Sequence, residues 1–126
     1  MQKIQFFGAA GEVTGSSYLV TGDDGGRLLI DLGMFQGTNA ETRNFSPLNF
    51  NAVSLRAVVL THAHLDHCGR LPLLIKAGFA GKIYTTAATE MITRISLLDA
   101  AAVAQEENKE PLLYTEADVS KTCDQM

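Results

Sequence analysis

Three histidines occur in this chain of 126 residues, and all lie within one run: Thr61-His62-Ala63-His64-Leu65-Asp66-His67. Random placement would cluster them this tightly in about one of a few hundred such chains, so the spacing rather than the composition carries the information. Imidazole nitrogen and carboxylate oxygen are borderline-to-hard donors of the kind zinc takes. On an extended or irregular loop, His62 and His64 share one side, because the period is two, and both can reach one ion. Asp66 and His67 continue the loop and can address a second ion close by. The plain alternative is a polar loop that happens to be rich in histidine.

The surrounding elements decide whether these donors can meet. Arg56-Ala57-Val58-Val59-Leu60, immediately before the run, reads as a buried strand, which puts the donors on a short loop at a strand end. Upstream, Lys3 to Phe7 alternates and reads as a strand, Gly8 to Gly15 as a glycine-rich loop, and Ser17 to Thr21 as a second strand. Gly22 to Gly26 is a hairpin turn, since Asp and Gly accept positive φ, and Arg27 to Asp31 returns to complete a β-meander. Residues 33–54 read as loop, with a short helix expected at Ala40 to Asn44. Downstream, Gly69 to Ala77 reads as a helix with Leu71, Leu74 and Ile75 on one face and Pro72 near its start. Lys82 to Thr85 is a short strand. Thr86 caps a long helix from Ala87 to about Asn108, with an apolar stripe of Met91, Ile92, Ile95, Leu98 and Ala102. Thr115-Glu116-Ala117-Asp118 opens a last helix in a capping-box arrangement. The order of elements is mixed α/β.

Bulk properties narrow the classes. Hydrophobic residues make up 46% and charged residues 19%, an ordinary globular composition. No apolar run approaches the roughly eighteen residues of a membrane span, and Met1 to Gly8 is too short and interrupted for a signal peptide. Two cysteines, Cys68 and Cys123, lie far apart and read as reduced thiols of a cytoplasmic protein. The net charge of −4 is uneven: residues 1–98 balance to +1 and residues 99–126 to −5. Neither part has the basic surface usual for nucleic-acid binding.

His-x-His-x-Asp-His resembles the signature of the metallo-β-lactamase fold. Asp31-Leu32-Gly33 resembles that superfamily's upstream Asp motif. Gly8-Ala9-Ala10-Gly11-Glu12-Val13-Thr14-Gly15-Ser16 resembles the start of one branch, the β-CASP nucleases, which include bacterial RNA-processing exonucleases and the nuclease subunit of the eukaryotic cleavage and polyadenylation factor. Gly33-Met34-Phe35-Gln36-Gly37, Cys68-Gly69-Arg70-Leu71-Pro72-Leu73-Leu74 and Ile83-Tyr84-Thr85-Thr86 are similar to the same branch. The resemblance implies the N-terminal half of an αββα sandwich, with a mixed, mainly antiparallel sheet and flanking helices. It implies His62 and His64 on a first zinc, and Asp66 and His67 on a second, with Asp66 also holding the nucleophilic water and so acting as the catalytic residue. Such a pair of ions lowers the water's pKa and stabilises charge on an attacked phosphate. Asp31 would fix the loop by hydrogen bonds rather than touch metal; on the residues alone it is equally a plain strand-end Asp. Glu12, Thr14 and Ser16 either approach the site from the glycine loop or stand on a simple turn. Cys68 adjoins the donors, but the family does not use it, and a small buried residue is expected. Asp99 reads as a helix-face residue.

The chain also departs from the family. A complete β-CASP enzyme needs a later His for the first zinc, a later bridging Asp, further His near its C-terminus and an inserted RNA-clamping domain, yet no histidine follows His67. Catalytic zinc takes three protein ligands per ion, so four donors are too few for two ions. Residues 1–126 are therefore expected to be a partial domain, lacking the β-CASP insertion and the C-terminal half. The parent would be a zinc-dependent ribonuclease acting on RNA phosphodiester bonds, and the isolated chain would be inactive or weak. The alternatives are another hydrolase of the fold, acting on a thioester, lactone or lactam, and a non-enzymatic metal-binding remnant. Half of a two-sheet sandwich would expose an apolar sheet face or hide it by self-association.

Overall fold

A computed structural model describes residues 1–126. Five strands form one sheet in the order β1-β2-β3-β4-β5: β1 (Lys3–Gly8), β2 (Ser17–Thr21), β3 (Arg27–Ile30), β4 (Leu55–Val59) and β5 (Lys82–Tyr84). The helices are α1 (Ala40–Phe45), α2 (Leu65–Cys68), α3 (Pro72–Lys76), α4 (Ala87–Glu106) and α5 (Glu116–Cys123). The β1–β2 and β2–β3 pairs are antiparallel, and the β3–β4 and β4–β5 pairs are parallel. The sheet is mixed, as expected, with more antiparallel than parallel residue pairs. The glycine loop and the hairpin turn join antiparallel neighbours, whereas the helical crossovers after β3 and β4 return the chain in the same direction. The β2–β3 hairpin closes where the sequence places it, with Gly22 N donating to Gly26 O at 2.8 Å and Gly26 N to Asp24 Oδ1 at 2.9 Å.

One face of the sheet is the core face. Leu19, Leu29, Val58 and Ile83 stand in register across β2 to β5 and pack on Leu71, Leu74, Leu97, Ala101 and Val119 from the helices. Each buried Leu, Ile or Val among them stabilises by roughly 1.5–3 kcal/mol. The next row, Phe6, Tyr18, Ile30, Val59 and Tyr84, crosses all five strands on the opposite face. That face stays open: Phe6 and Tyr84 are each 60% exposed, with Ile4 and Leu28 exposed beside them.

Two helices differ from the sequence expectation. The helix read as Gly69 to Ala77 is confined to α3, residues 69–71 forming a turn, and a separate short helix, α2, precedes that turn. Pro72 has no N–H to give a preceding turn and begins α3 instead. On α4, the buried line is Thr93, Leu97 and Ala101, while Met91 and Ile95, read as part of the apolar stripe, are 69% and 68% exposed. The caps form as read: Thr86 Oγ1 accepts from Thr89 N, and Thr115 and Asp118 close a capping box on α5. No helix is long and apolar enough to cross a membrane.

Candidate metal centre

The carboxyl ends of β3, β4 and β5 lie at one edge of the sheet because the three run parallel, and that edge is where α/β folds place ligand sites. The ladder continues past the strand ends: Asp31 N donates to Val59 O at 3.0 Å and Leu60 N to Tyr84 O at 2.9 Å. Asp31 then adopts left-handed backbone, φ 58°, which Asp tolerates better than most residues. This turn ends β3 and lays residues 32–34 along the donor loop. Leu32 N donates to His67 O (2.9 Å), Met34 N to Leu65 O (2.8 Å) and Arg70 N to Leu32 O (2.9 Å). The glycine loop closes the other side, where Ser16 N donates to Asp66 O (3.0 Å) and Gly33 N to Ser16 O (2.9 Å). A Cβ on residue 33 would overlap the Asp66 carbonyl, so glycine is required there.

Within this frame Asp31 is 1% exposed and organises the site. Its Oδ1 accepts from Thr61 N at 2.8 Å; its Oδ2 accepts from Thr61 Oγ1 at 2.7 Å and from His67 Nδ1 at 2.7 Å. The Thr61 hydroxyl has one hydrogen, given to Asp31, so its 2.9 Å contact with His62 Nδ1 is one in which it accepts. His62 and His67 therefore both carry hydrogen on Nδ1 and present a bare Nε2, the tautomer a metal ligand needs.

The bare His67 Nε2 stands 3.5 Å from Asp66 Oδ2. Two donors on one ion, each at ~2.1 Å and at a tetrahedral angle, stand about 3.4 Å apart, so this pair is spaced for a shared cation. The His62 ring centroid lies 4.8 Å from that of His64 and 4.0 Å from that of His67, which gathers the three imidazoles at one place. Nowhere does a group of three or more His, Cys, Asp or Glu side chains form that is able to hold one ion. The donors thus come close without forming a set of three, and Asp66 with His67 falls short of the three protein ligands of a catalytic zinc. Asp66 and His67 lie within α2 rather than on the irregular loop expected for them.

The other candidates sort by contact. Cys68 is fully buried, its Sγ donating to Ala63 O at 3.4 Å, and burial together with the nearby Asp31 charge pushes its thiol up to about 12. It stays protonated and offers no thiolate. Glu12 is held by Arg43 through two hydrogen bonds of 2.9 and 2.8 Å, which keep its carboxyl below the usual carboxylate range and commit it to α1. Thr14 Oγ1 accepts from Gln36 N at 3.0 Å, and Ser16 meets the donor loop through its backbone. Asp99 is exposed on α4. The residue that the sequence reading missed is Thr61, whose one available signal was its place between the strand and the first histidine.

A sequence model of the metallo-beta-lactamase superfamily matches residues 10–120. The chain is 51% identical over 100 residues to "Ribonuclease TTHA0252" of Thermus thermophilus, covering 79% of this chain and 23% of that protein. It is 37% identical over 122 residues to "Transcription termination factor FttA" of Methanocaldococcus jannaschii, covering 96% and 19%. It is 33% identical over 112 residues to "Integrator complex subunit 11" of Danio rerio, covering 84% and 19%. The chain spans about a fifth of the length of these curated relatives. With the donor loop, the strand-end Asp31 and the glycine loop assembled at one sheet edge, the chain belongs to the metallo-beta-lactamase superfamily, and its relatives are those of the β-CASP branch.

Proposed function

We propose that this chain is part of a zinc-dependent β-CASP-type ribonuclease that hydrolyses RNA phosphodiester bonds. His62 and His64 would hold one zinc, and Asp66 and His67 a second. The observation that carries the reading is the branched hydrogen-bond system from Asp31, which engages Nδ1 of His67 directly and of His62 through Thr61, with His67 Nε2 beside Asp66. A relative named as a ribonuclease supplies the reaction class. Zinc, when bound, supplies a lowered pKa for water and charge stabilisation on the attacked phosphate. Asp66 would be the catalytic residue: with Oδ2 turned to His67, its Oδ1 would be free to accept from a nucleophilic water and orient it. Asp31 holds the His67 ring against rotation.

We read residues 1–126 as a partial domain, because two donors per ion are below what zinc catalysis takes. With a net charge of −4, the grip on RNA falls to parts outside this chain. The two free, buried cysteines suit a reducing compartment, and we place the protein in the cytoplasm. We also read the open sheet face as a surface on which a second copy packs.

Metal analysis together with hydrolysis assays tests this reading. Zinc should bind, leave with chelator, and be lost in the His62→Ala/His67→Ala double variant. Turnover on single-stranded RNA should fall far below the roughly 1 to 1,000 per second of ordinary enzymes. Chelator-sensitive turnover within that range would overturn the partial-domain reading. Hydrolysis of a thioester, lactone or lactam without RNA cleavage would overturn the substrate, and no zinc binding would leave a non-enzymatic remnant.

A further inference from the structure

We propose that the cavity beside Arg70 and Ser17 is a binding site for one small tetrahedral oxyanion, of the phosphate or sulfate kind. It stands independently of the metal reading. The cavity, open to solvent on one side, has a volume of about 150 Å³ and is lined by Ser17 at the start of β2, Phe35, Arg43 on α1, Ser46, Asn49 and Arg70 among others. That is ample room for an ion of five heavy atoms.

Arg70 is 6% exposed, yet no carboxylate pairs with it. Of its five N–H groups, one on Nη2 donates to Ser46 O at 3.1 Å, and the buried Nε has no partner. Ser17 Oγ, buried on the same cavity, has none either. The lining holds no acidic side chain. Arg43, the other cation present, is already committed: it pairs with Glu12 at 2.8 Å and its guanidinium lies 3.7 Å from the Phe35 ring centroid. The Arg70 guanidinium lies 5.5 Å from the same ring centroid, a weaker contact, and its positive charge is buried without a counter-ion. Burial and the like charge of Arg43 both pull the Arg70 pKa down from its ordinary value, the signature of a cation in want of an anion. A buried charge is costly unless paired, and a planar guanidinium fork matches an oxyanion with two parallel hydrogen bonds.

Chelator-treated 126-residue chain, titrated with sodium phosphate at an ionic strength fixed by sodium chloride, tests the proposal. The readouts are the thermal midpoint and the phosphorus-31 linewidth of phosphate. The midpoint should rise saturably with phosphate. Arg70→Met should weaken binding roughly tenfold or more, Ser17→Ala about threefold, and His62→Ala should leave it unchanged. A wild type without saturation, an equal rise with chloride or acetate, or phosphate binding that depends on His62 and not on Arg70 would overturn the proposal. If Arg70→Met does not fold, unchanged phosphate affinity in Ser17→Ala overturns it.

Discussion

Asp31 accepts from Thr61 and His67 with both oxygens, so replacing it by asparagine keeps shape and tolerance of left-handed backbone while placing an amide against hydrogen-bond donors. A buried donor left without an acceptor costs roughly 1–3 kcal/mol, and Asp31→Asn is expected to lose about that in urea unfolding. On the proposed zinc reading, freeing the two imidazoles should also weaken metal binding roughly 10- to 100-fold. Unchanged stability and zinc affinity in that variant would remove Asp31 from its organising role. Cys68 makes a contrasting case. With its thiol held near 12 and its Sγ buried, alkylation at pH 8 should proceed only as fast as the chain unfolds, and brisk native labelling would contradict the burial. The histidine spacing was legible because it is local. The Thr61 relay was not: its partner Asp31 is thirty residues away and arrives only through the β3–β4 pairing.

The same division between local and non-local information governs the elements. Turns and caps, such as the Asp24 turn and the Thr115–Asp118 box, depend on neighbours within three residues and were read correctly. The face of α4 was not. Apolar residues surround this helix, so a stripe through Met91, Ile92 and Ile95 and a line through Leu97 and Ala101 are both available to periodicity. Packing on α5, α2 and the sheet selects the second. Leu97→Ala is therefore expected to cost about 2–5 kcal/mol, and Ile95→Ala under ~0.5 kcal/mol, in denaturant unfolding. The reverse ranking would restore the stripe first read from the sequence. The four residues of α2 are too few to show any period, which is why Asp66 and His67 were read as loop.

At the scale of the whole molecule, the open sheet face dominates. A compact monomer of 13.6 kDa should expose roughly 6,600 Å². This chain exposes 7,022 Å². The excess, roughly 400 Å², is of the size of one uncovered apolar face such as that bearing the row Phe6, Tyr18, Ile30, Val59 and Tyr84. At ~25 cal/mol per Å², covering it would contribute roughly 10 kcal/mol, as much as the net stability of an ordinary domain. On the proposed packing of a second copy, the same apolar row would complete a two-sheet stack without any other partner. Sedimentation at tens of micromolar should accordingly show a dimer, and dilution should bring dissociation with binding of an apolar dye. The Phe6→Lys/Tyr84→Lys double variant replaces the two most exposed members of the row with charges that repel across such a stack. It should sediment as a monomer while keeping the zinc affinity of the parent chain, because neither residue touches the donor loop. A wild-type chain that stays a compact monomer with no dye binding would show that this face is tolerated in water, and that the surface excess lies elsewhere on the molecule.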